Sequence, residues 1–158
     1  MGQIVKKLDE LKSIVEKEKN QGKKIVFGNG CFDLLHVGHV RYLKGAKALG
    51  DVLIVAVNDD SSVMGLGKRK RVVTPAPERA EIIAALEGVD YVILFSDPNV
   101  ENLLRALQPH IHAKGTDYTE ESVPEGRIVR DYGGRVAIVG DPKDHSTRDL
   151  IKAIKDMD

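Results

Sequence analysis

Two histidines, His36 and His39, stand three residues apart with Gly38 between them, just after the run Gly28-Asn29-Gly30-Cys31-Phe32-Asp33-Leu34-Leu35. Imidazoles at the start of a helix, next to its free backbone N–H groups and the positive end of its dipole, suit an anion. They can donate hydrogen bonds to phosphate oxygens. In a displacement at phosphorus the equatorial oxygens and the leaving group redistribute charge, and fixed donors aimed at them lower the barrier. Loss of one such donor costs on the order of 3 kcal/mol, about a hundredfold in rate. His36 and His39 are therefore assigned to the transition state.

The elements that must position this pair are legible on either side. Lys24-Ile25-Val26-Phe27 is an apolar, β-branched run suited to a buried parallel strand, and Gly28 and Gly30 let the chain turn close to a ligand. Residues 40–49 carry apolar side chains at helical intervals and stop at Gly50. Residues 52–57 form a second buried strand ending at Asn58-Asp59-Asp60, where open α/β sheets bind ligands. The basic stretch Gly65–Arg71 follows and is read as a flap that carries cations to phosphates. Thr74-Pro75-Ala76-Pro77 opens a helix running to Gly88, Val89–Phe95 is a third strand, and a helix from Asp97 ends before Pro109. A fourth strand at His110–Lys114, a helix over Ser122–Tyr132, a fifth strand at Arg135–Val139 and a last helix capped by Ser146 complete the series. Before all of these, residues 1–22 predict an amphipathic lead-in, helical from about Gln3 to Lys19.

Strands alternating with helices imply right-handed crossovers and a parallel sheet. The expected fold is a single α/β domain over residues 1–158, a Rossmann-like doubly wound five-stranded parallel sheet in the order 3-2-1-4-5. Equal numbers of basic and acidic residues, 24 of each, give no long-range field toward a polynucleotide, and no aromatic-basic stretch suggests base stacking. A nucleic-acid partner is not expected. The single cysteine, Cys31, leaves no internal disulfide and suits a reducing cytoplasm; it reads as packing under the phosphate loop rather than a nucleophile. The start of the chain lacks the apolar core of a signal peptide, and no run of about 18 apolar residues offers a membrane span.

The string GNGCFDLLHVGH, residues 28–39, resembles the G-x-F-D-x-x-H-x-G-H signature of the cytidylyltransferase-like nucleotidyltransferases. The likeness extends through the strand-end segment VAVNDD and through PAPERAEIIAALEGVDYV, residues 75–92, whose arginine, here Arg79, contacts nucleotide or phosphates in that family. The later segments KGTDY, VPEGRIVRDYGGRV and HSTRDLI are most similar to the adenylyltransferases that act on heptose 1-phosphate in lipopolysaccharide-core assembly. In those proteins the domain stands alone or is fused to a sugar kinase, for which 158 residues leave no room. The resemblance implies ATP and a sugar 1-phosphate as substrates, Mg²⁺ held mainly by the nucleotide phosphates, a cytoplasmic enzyme and a homodimer.

On that footing the remaining residues take expected roles. Lys44 and Thr147 join His36, His39 and Arg79 in catalysis. Asn29, Gly30, Cys31, Phe32 and Gly38 frame the nucleotide, with Lys114, Gly115, Asp117, Ser146 and Thr147 on its other side. Asp117 can accept from the base, a sugar hydroxyl or Arg79. Asp33, Asn58, Lys68 and Arg71 are assigned to the acceptor substrate, and His145 either adds a donor or packs. Thr116 and Arg148 depart from the glycine and threonine usual in the family, which bears on substrate rather than reaction. Other readings are a cytidylyltransferase acting on glycerol 3-phosphate or an aminoalcohol phosphate, an FMN adenylyltransferase, and a nucleotide-binding protein without turnover.

Overall fold

The structure, a computed structural model, describes residues 1–142 and 145–158. In chain order the elements are β1 (Gln3–Ile4), α1 (Leu8–Asn20), β2 (Ile25–Gly30), α2 (Val37–Lys47), β3 (Val52–Asn58), α3 (Asp60–Gly65) and α4 (Ala76–Ala84). Then come β4 (Tyr91–Phe95), α5 (Glu101–Leu107), β5 (Ile111–Lys114), α6 (Gly126–Asp131), β6 (Arg135–Ile138) and α7 (Thr147–Lys155). The strands form one parallel sheet in the order β1-β4-β3-β2-β5-β6.

Five of these strands lie in the order expected from sequence. The sixth, β1, corrects the expectation of a helix from Gln3. Ile4, Val5, Leu8 and Leu11 fit a helical period, yet Gln3 and Ile4 pair with Tyr91 and Val92 at the sheet edge, and the helix starts only at Leu8. The short helix α3, where a turn and flap were expected, starts because Asp59 caps it by accepting from the Ser62 N–H at 2.8 Å. Helices α4, α5 and α6 are shorter than the sequence pattern suggests, with Ser122–Glu125 outside the last of them.

Burial explains why the central strands read as unbroken apolar runs: all seven residues of β3 are buried. Ile25, Phe27, Ile54 and Ala56 pack on one face with α1, α5 and α6, while Val26, Leu53, Val55 and Val57 pack on the other with α2 and α4. Alternation along β2 thus puts Asn29 on the α1 and α6 side of the sheet and Gly28 and Gly30 on the α2 side. The order of strands reverses at β2, so a crevice opens at the carboxyl ends of β2 and β5, where ligands bind in such sheets. Tyr42 of α2 donates its hydroxyl to the Ala113 carbonyl of β5 at 2.7 Å and fixes the helix across that crevice.

Candidate active site

Helix α2 begins at the histidine pair because both rings cap it. The Gly38 N–H donates to Nδ1 of His36 at 3.1 Å, and the His36 N–H donates to Nδ1 of His39 at 3.2 Å. Each Nδ1 must therefore present a lone pair, which leaves each neutral ring with its proton on Nε2. The rings stack with centroids 3.8 Å apart and 26° between planes. Burial, and then the neighbouring His36 and Arg69, push His39 down to about 4; burial, followed by His145, lowers His36 as well. At neutral pH the pair is uncharged and offers two Nε2–H donors of fixed direction. Gly38 is required by this packing, since a Cβ there would lie 2.9 Å from the His36 ring.

A second helix N-terminus meets the first. Ser146 caps α7 by accepting from the Asp149 N–H at 3.1 Å, and Thr147 donates its hydroxyl to the Asp33 carbonyl at 3.0 Å. The exposed ring of His145 lies 6.4 Å from that of His36. Two positive helix ends thus face one spot at the mouth of the crevice, an arrangement suited to a polyphosphate. Because the Thr147 hydroxyl is turned inward to the loop, it positions α7 rather than facing that spot.

Three further residues expected to touch ligand are consumed by the protein. Arg79 is 1% exposed; its Nε donates to the Thr74 carbonyl, Nη1 to the carbonyls of Cys31 and Asn58, and Nη2 to the Asp60 carboxylate. It clasps the ends of β2 and β3 to the start of α4 and does not face the crevice. Asp33, likewise buried, accepts from Arg69 at 2.8 Å and from the backbone N–H groups of Val73 and Thr74, both at 2.9 Å. Asn58 donates inward to Ser62. The structure shows these three groups at work on the frame rather than in the expected contacts of Arg79 with nucleotide and of Asp33 and Asn58 with substrate: Arg79 directs four of its five N–H donors at the protein, Asp33 accepts three hydrogen bonds from it, and Asn58 gives one amide hydrogen to Ser62. Phe32 and Leu34, on either side of Asp33, hold φ of 51° and 60°, a left-handed conformation costing about 1–3 kcal/mol per residue that persists only where neighbours over-determine it. The clasp supplies that constraint.

The glycines of β2 also serve packing. A Cβ on Gly28 would meet the Tyr42 hydroxyl at 2.7 Å, and one on Gly30 the Phe32 ring at 3.0 Å. Their missing side chains make room for the protein's own rings. Phe32 is buried and sits edge-on to His39 at 5.3 Å, so it packs rather than stacks on a base. The Cys31 thiol is pushed up by burial against the downward pull of Arg79, Arg69 and Lys68, which keeps it protonated and agrees with a packing role.

Among the described residues, Asn29 and Lys114 stand at the carboxyl ends of β2 and β5, where the crevice opens, and Lys68 is exposed. Lys114 ends β5 with its ammonium 4.5 Å above the Tyr118 ring; burial lowers it, Glu125 raises it, and Lys68 lowers it again, placing all three within electrostatic reach. The space over Gly115 is open, and Asp117 is exposed beyond it. Arg69 was not singled out from the sequence, because nothing in Lys68-Arg69-Lys70-Arg71 ranks one residue above another. Only its tie to Asp33 turns it inward beside His39, whereas Arg71 is exposed. Lys44 is exposed on α2 at about 140° around the helix from His39, so the structure does not bring it to the pair. Among the described residues no three His, Cys, Asp or Glu side chains converge on a metal position, and the Asp33 carboxylate is already committed. The donors among the described residues do not form a ready site for a protein-held divalent ion.

A parallel sheet with its crevice at the reversal point, two converging helix ends and a neutral histidine pair define a nucleotide-phosphate-binding α/β protein. The chain belongs to the cytidylyltransferase-like family, whose model matches residues 27–154. It is 49% identical over 150 residues to bifunctional protein HldE of Geobacter metallireducens and 47% identical over 150 residues to that of Pelobacter propionicus, covering 95% of this chain each time. The chain spans 31% of the length of both relatives. Among solved structures, the lipopolysaccharide core biosynthesis protein from Thermoplasma volcanium superposes with a TM-score of 0.67 at 28% identity, over 77% of this chain and 100% of that one. Pantoate-beta-alanine ligase from Francisella tularensis shares the fold, with a TM-score of 0.64 at 18% identity over 98% of this chain and 77% of that one.

Proposed function

We propose that this chain is an adenylyltransferase that moves AMP from ATP to D-glycero-β-D-manno-heptose 1-phosphate, releasing pyrophosphate and ADP-heptose. The observation that carries the nucleotidyl-transfer reading is the stacked His36–His39 pair, whose Nε2–H donors are fixed by backbone bonds to Nδ1. An oxygen of the acceptor phosphate attacks the α phosphorus of ATP and forms the new P–O bond as the bond to the bridging oxygen breaks; pyrophosphate leaves with that electron pair. No proton need be removed from the acceptor, which is already ionised, so the protein's task is positioning and charge stabilisation. His36 and His39 donate to oxygens that gain charge in this step. Arg69, Lys68 and Lys114 supply positive charge around the triphosphate, and the start of α7 adds backbone N–H donors through Ser146. The heptose acceptor is supported by the 114–118, 123–136 and 145–151 segments and by the relatives named HldE.

Mg²⁺ is proposed to arrive with the nucleotide and to be held by phosphate oxygens. A cytoplasmic setting agrees with the single cysteine, and no described helix is long and apolar enough to cross a membrane. A homodimer is proposed as well; Leu150 and Ile154, exposed one turn apart on α7, offer it an apolar stripe. The deciding experiment measures pyrophosphate release with ATP or CTP against heptose 1-phosphate, glycerol 3-phosphate, an aminoalcohol phosphate and FMN. Release with ATP and heptose 1-phosphate alone is expected. Preference for CTP or another acceptor would reassign the substrate, and nucleotide binding without release from any pair would mark a protein that binds but does not turn over.

A further inference from the structure

His112 is an expensive residue to place where it stands. It lies in the middle of β5 with no solvent exposure, a position that an aliphatic side chain would fill without burying a polar ring. Its Nε2 is 2.9 Å from Oδ1 of Asn29, while its Nδ1 is buried without a hydrogen-bond partner among the described residues. Phe27 holds the ring edge-on, centroids 5.6 Å apart at 63°. Burial, followed by the Lys114 charge, pushes His112 down to about 3, so the ring is neutral and carries one proton. With that proton on Nε2 it bonds to the Asn29 carbonyl oxygen and leaves only a bare lone pair unpaired. The other tautomer would bury an unpaired N–H, the costlier orphan.

The geometry points to His112 as a positioning residue: it pins Oδ1 of Asn29 inward so that the carboxamide turns its two Nδ2–H donors into the crevice, toward an oxygen acceptor of the bound nucleotide. Asn29 is half-buried at the carboxyl end of β2, on the opposite face of the sheet from α2. An asparagine amide left free could turn either edge outward; here the outward edge is a donor edge by construction. The role rests on the proposed nucleotidyl transfer for its consequence, though not for its geometry.

The test compares wild type with His112→Leu and His112→Gln in the full chain. Glutamine keeps an N–H close to the site of the histidine Nε2, and leucine keeps volume without a donor. His112→Leu is expected to raise the KM for ATP about tenfold, with kcat changed less than about threefold, and His112→Gln to restore most of the loss. Melting temperature should move by only a few degrees in the leucine variant, since the loss of a partner for Asn29 Oδ1 is offset by removal of a buried polar ring. ¹⁵N NMR of the wild type should report the Nε2–H tautomer, unchanged from pH 8 to 5. An unchanged KM in His112→Leu, equal impairment of both variants, or an Nδ1–H tautomer would each overturn the inference. Should leucine prevent folding, the glutamine variant and the tautomer decide. A wild type that binds ATP but releases no pyrophosphate overturns the proposed reaction instead, and calorimetric ATP affinity of the same variants then replaces KM.

Discussion

Two groups of polar side chains lie within one loop of each other and spend their hydrogen bonds differently. Arg79, Asp33 and Thr147 form a clasp in which the donors and acceptors described are directed at the protein. His36 and His39 use one ring nitrogen each on the backbone, and the other carries no described hydrogen bond. The difference predicts that damage to the clasp lowers stability and activity together, whereas damage to the histidine mouth lowers activity alone. Arg79→Met should have the largest effect. It leaves the Cys31, Asn58 and Thr74 carbonyls without their shared donor, a loss of about 3–5 kcal/mol for three orphaned acceptors, while the half-exposed Asp60 carboxylate can turn to water. At this chain length that is a fall in melting temperature of about 10 °C by calorimetry. Arg79→Lys should not rescue it, because one ammonium cannot span four acceptors set around a planar fork. A stable but inactive Arg79→Met would return the residue to the phosphates and dissolve the contrast.

His36→Ala and His39→Ala come next. Each removes one donor from the developing charge, and pyrophosphate release should drop about a hundredfold, on the order of 3 kcal/mol of barrier. Their melting temperatures should move by only a few degrees, since each ring contributes one backbone cap. If either variant loses stability and rate in proportion, the mouth belongs to the clasp and the two groups act as one.

How far this contrast was legible in the sequence differs between its two sides. The strand, turn and helix around the histidines were readable because buried parallel strands leave apolar runs and because paired imidazoles before a helix have few other uses. The inward turn of Arg79 was not. A sequence pattern states which charges exist near a site but not how many acceptors surround each, and four acceptors around Arg79 come from segments as far apart as Cys31 and Thr74. Arg69 and Arg71 differ in the same way: only the fold puts one of them against Asp33. The two-residue strand at Gln3 was hidden for another reason, because Ile4 and Val5 serve a helical period and a sheet edge equally well.

Acid sharpens the comparison from the histidine side. His39 has an ordinary value of 6.5 and is held at about 4 by burial, His36 and Arg69, so between those values the unfolded chain binds a proton that the folded chain refuses. Stability contributed by the neutral ring is complete above pH 6.5, rises with pH through the window and is lost as pH falls toward 4. Denaturant melts at intervals from pH 7 to 4 should show this slope in wild type. His39→Asn keeps an acceptor for the His36 N–H but cannot titrate, and its slope should be shallower by up to about one proton. Equal slopes would mean that the ring protonates freely in the folded state and is not the sheltered donor its contacts describe.

The smallest effect on stability is expected at Thr147, where clasp and mouth touch. Its hydroxyl ties α7 to the Asp33 carbonyl, and through that bond sets where the second helix N-terminus stands relative to His36. Thr147→Val keeps the shape and leaves that carbonyl unpaired, which should lower stability by about 1 kcal/mol, or a few degrees of melting temperature. The helix itself should persist, because Ser146 still caps it. Activity should nevertheless fall by more than that loss implies if both helix ends must point at the same phosphates, since a shift of about 1 Å in a positioning element can cost a hundredfold. Thr147→Ser, which restores the hydroxyl, should recover both. If the valine variant instead keeps full rate, α7 does not share in holding the triphosphate, and the α2 mouth acts without it.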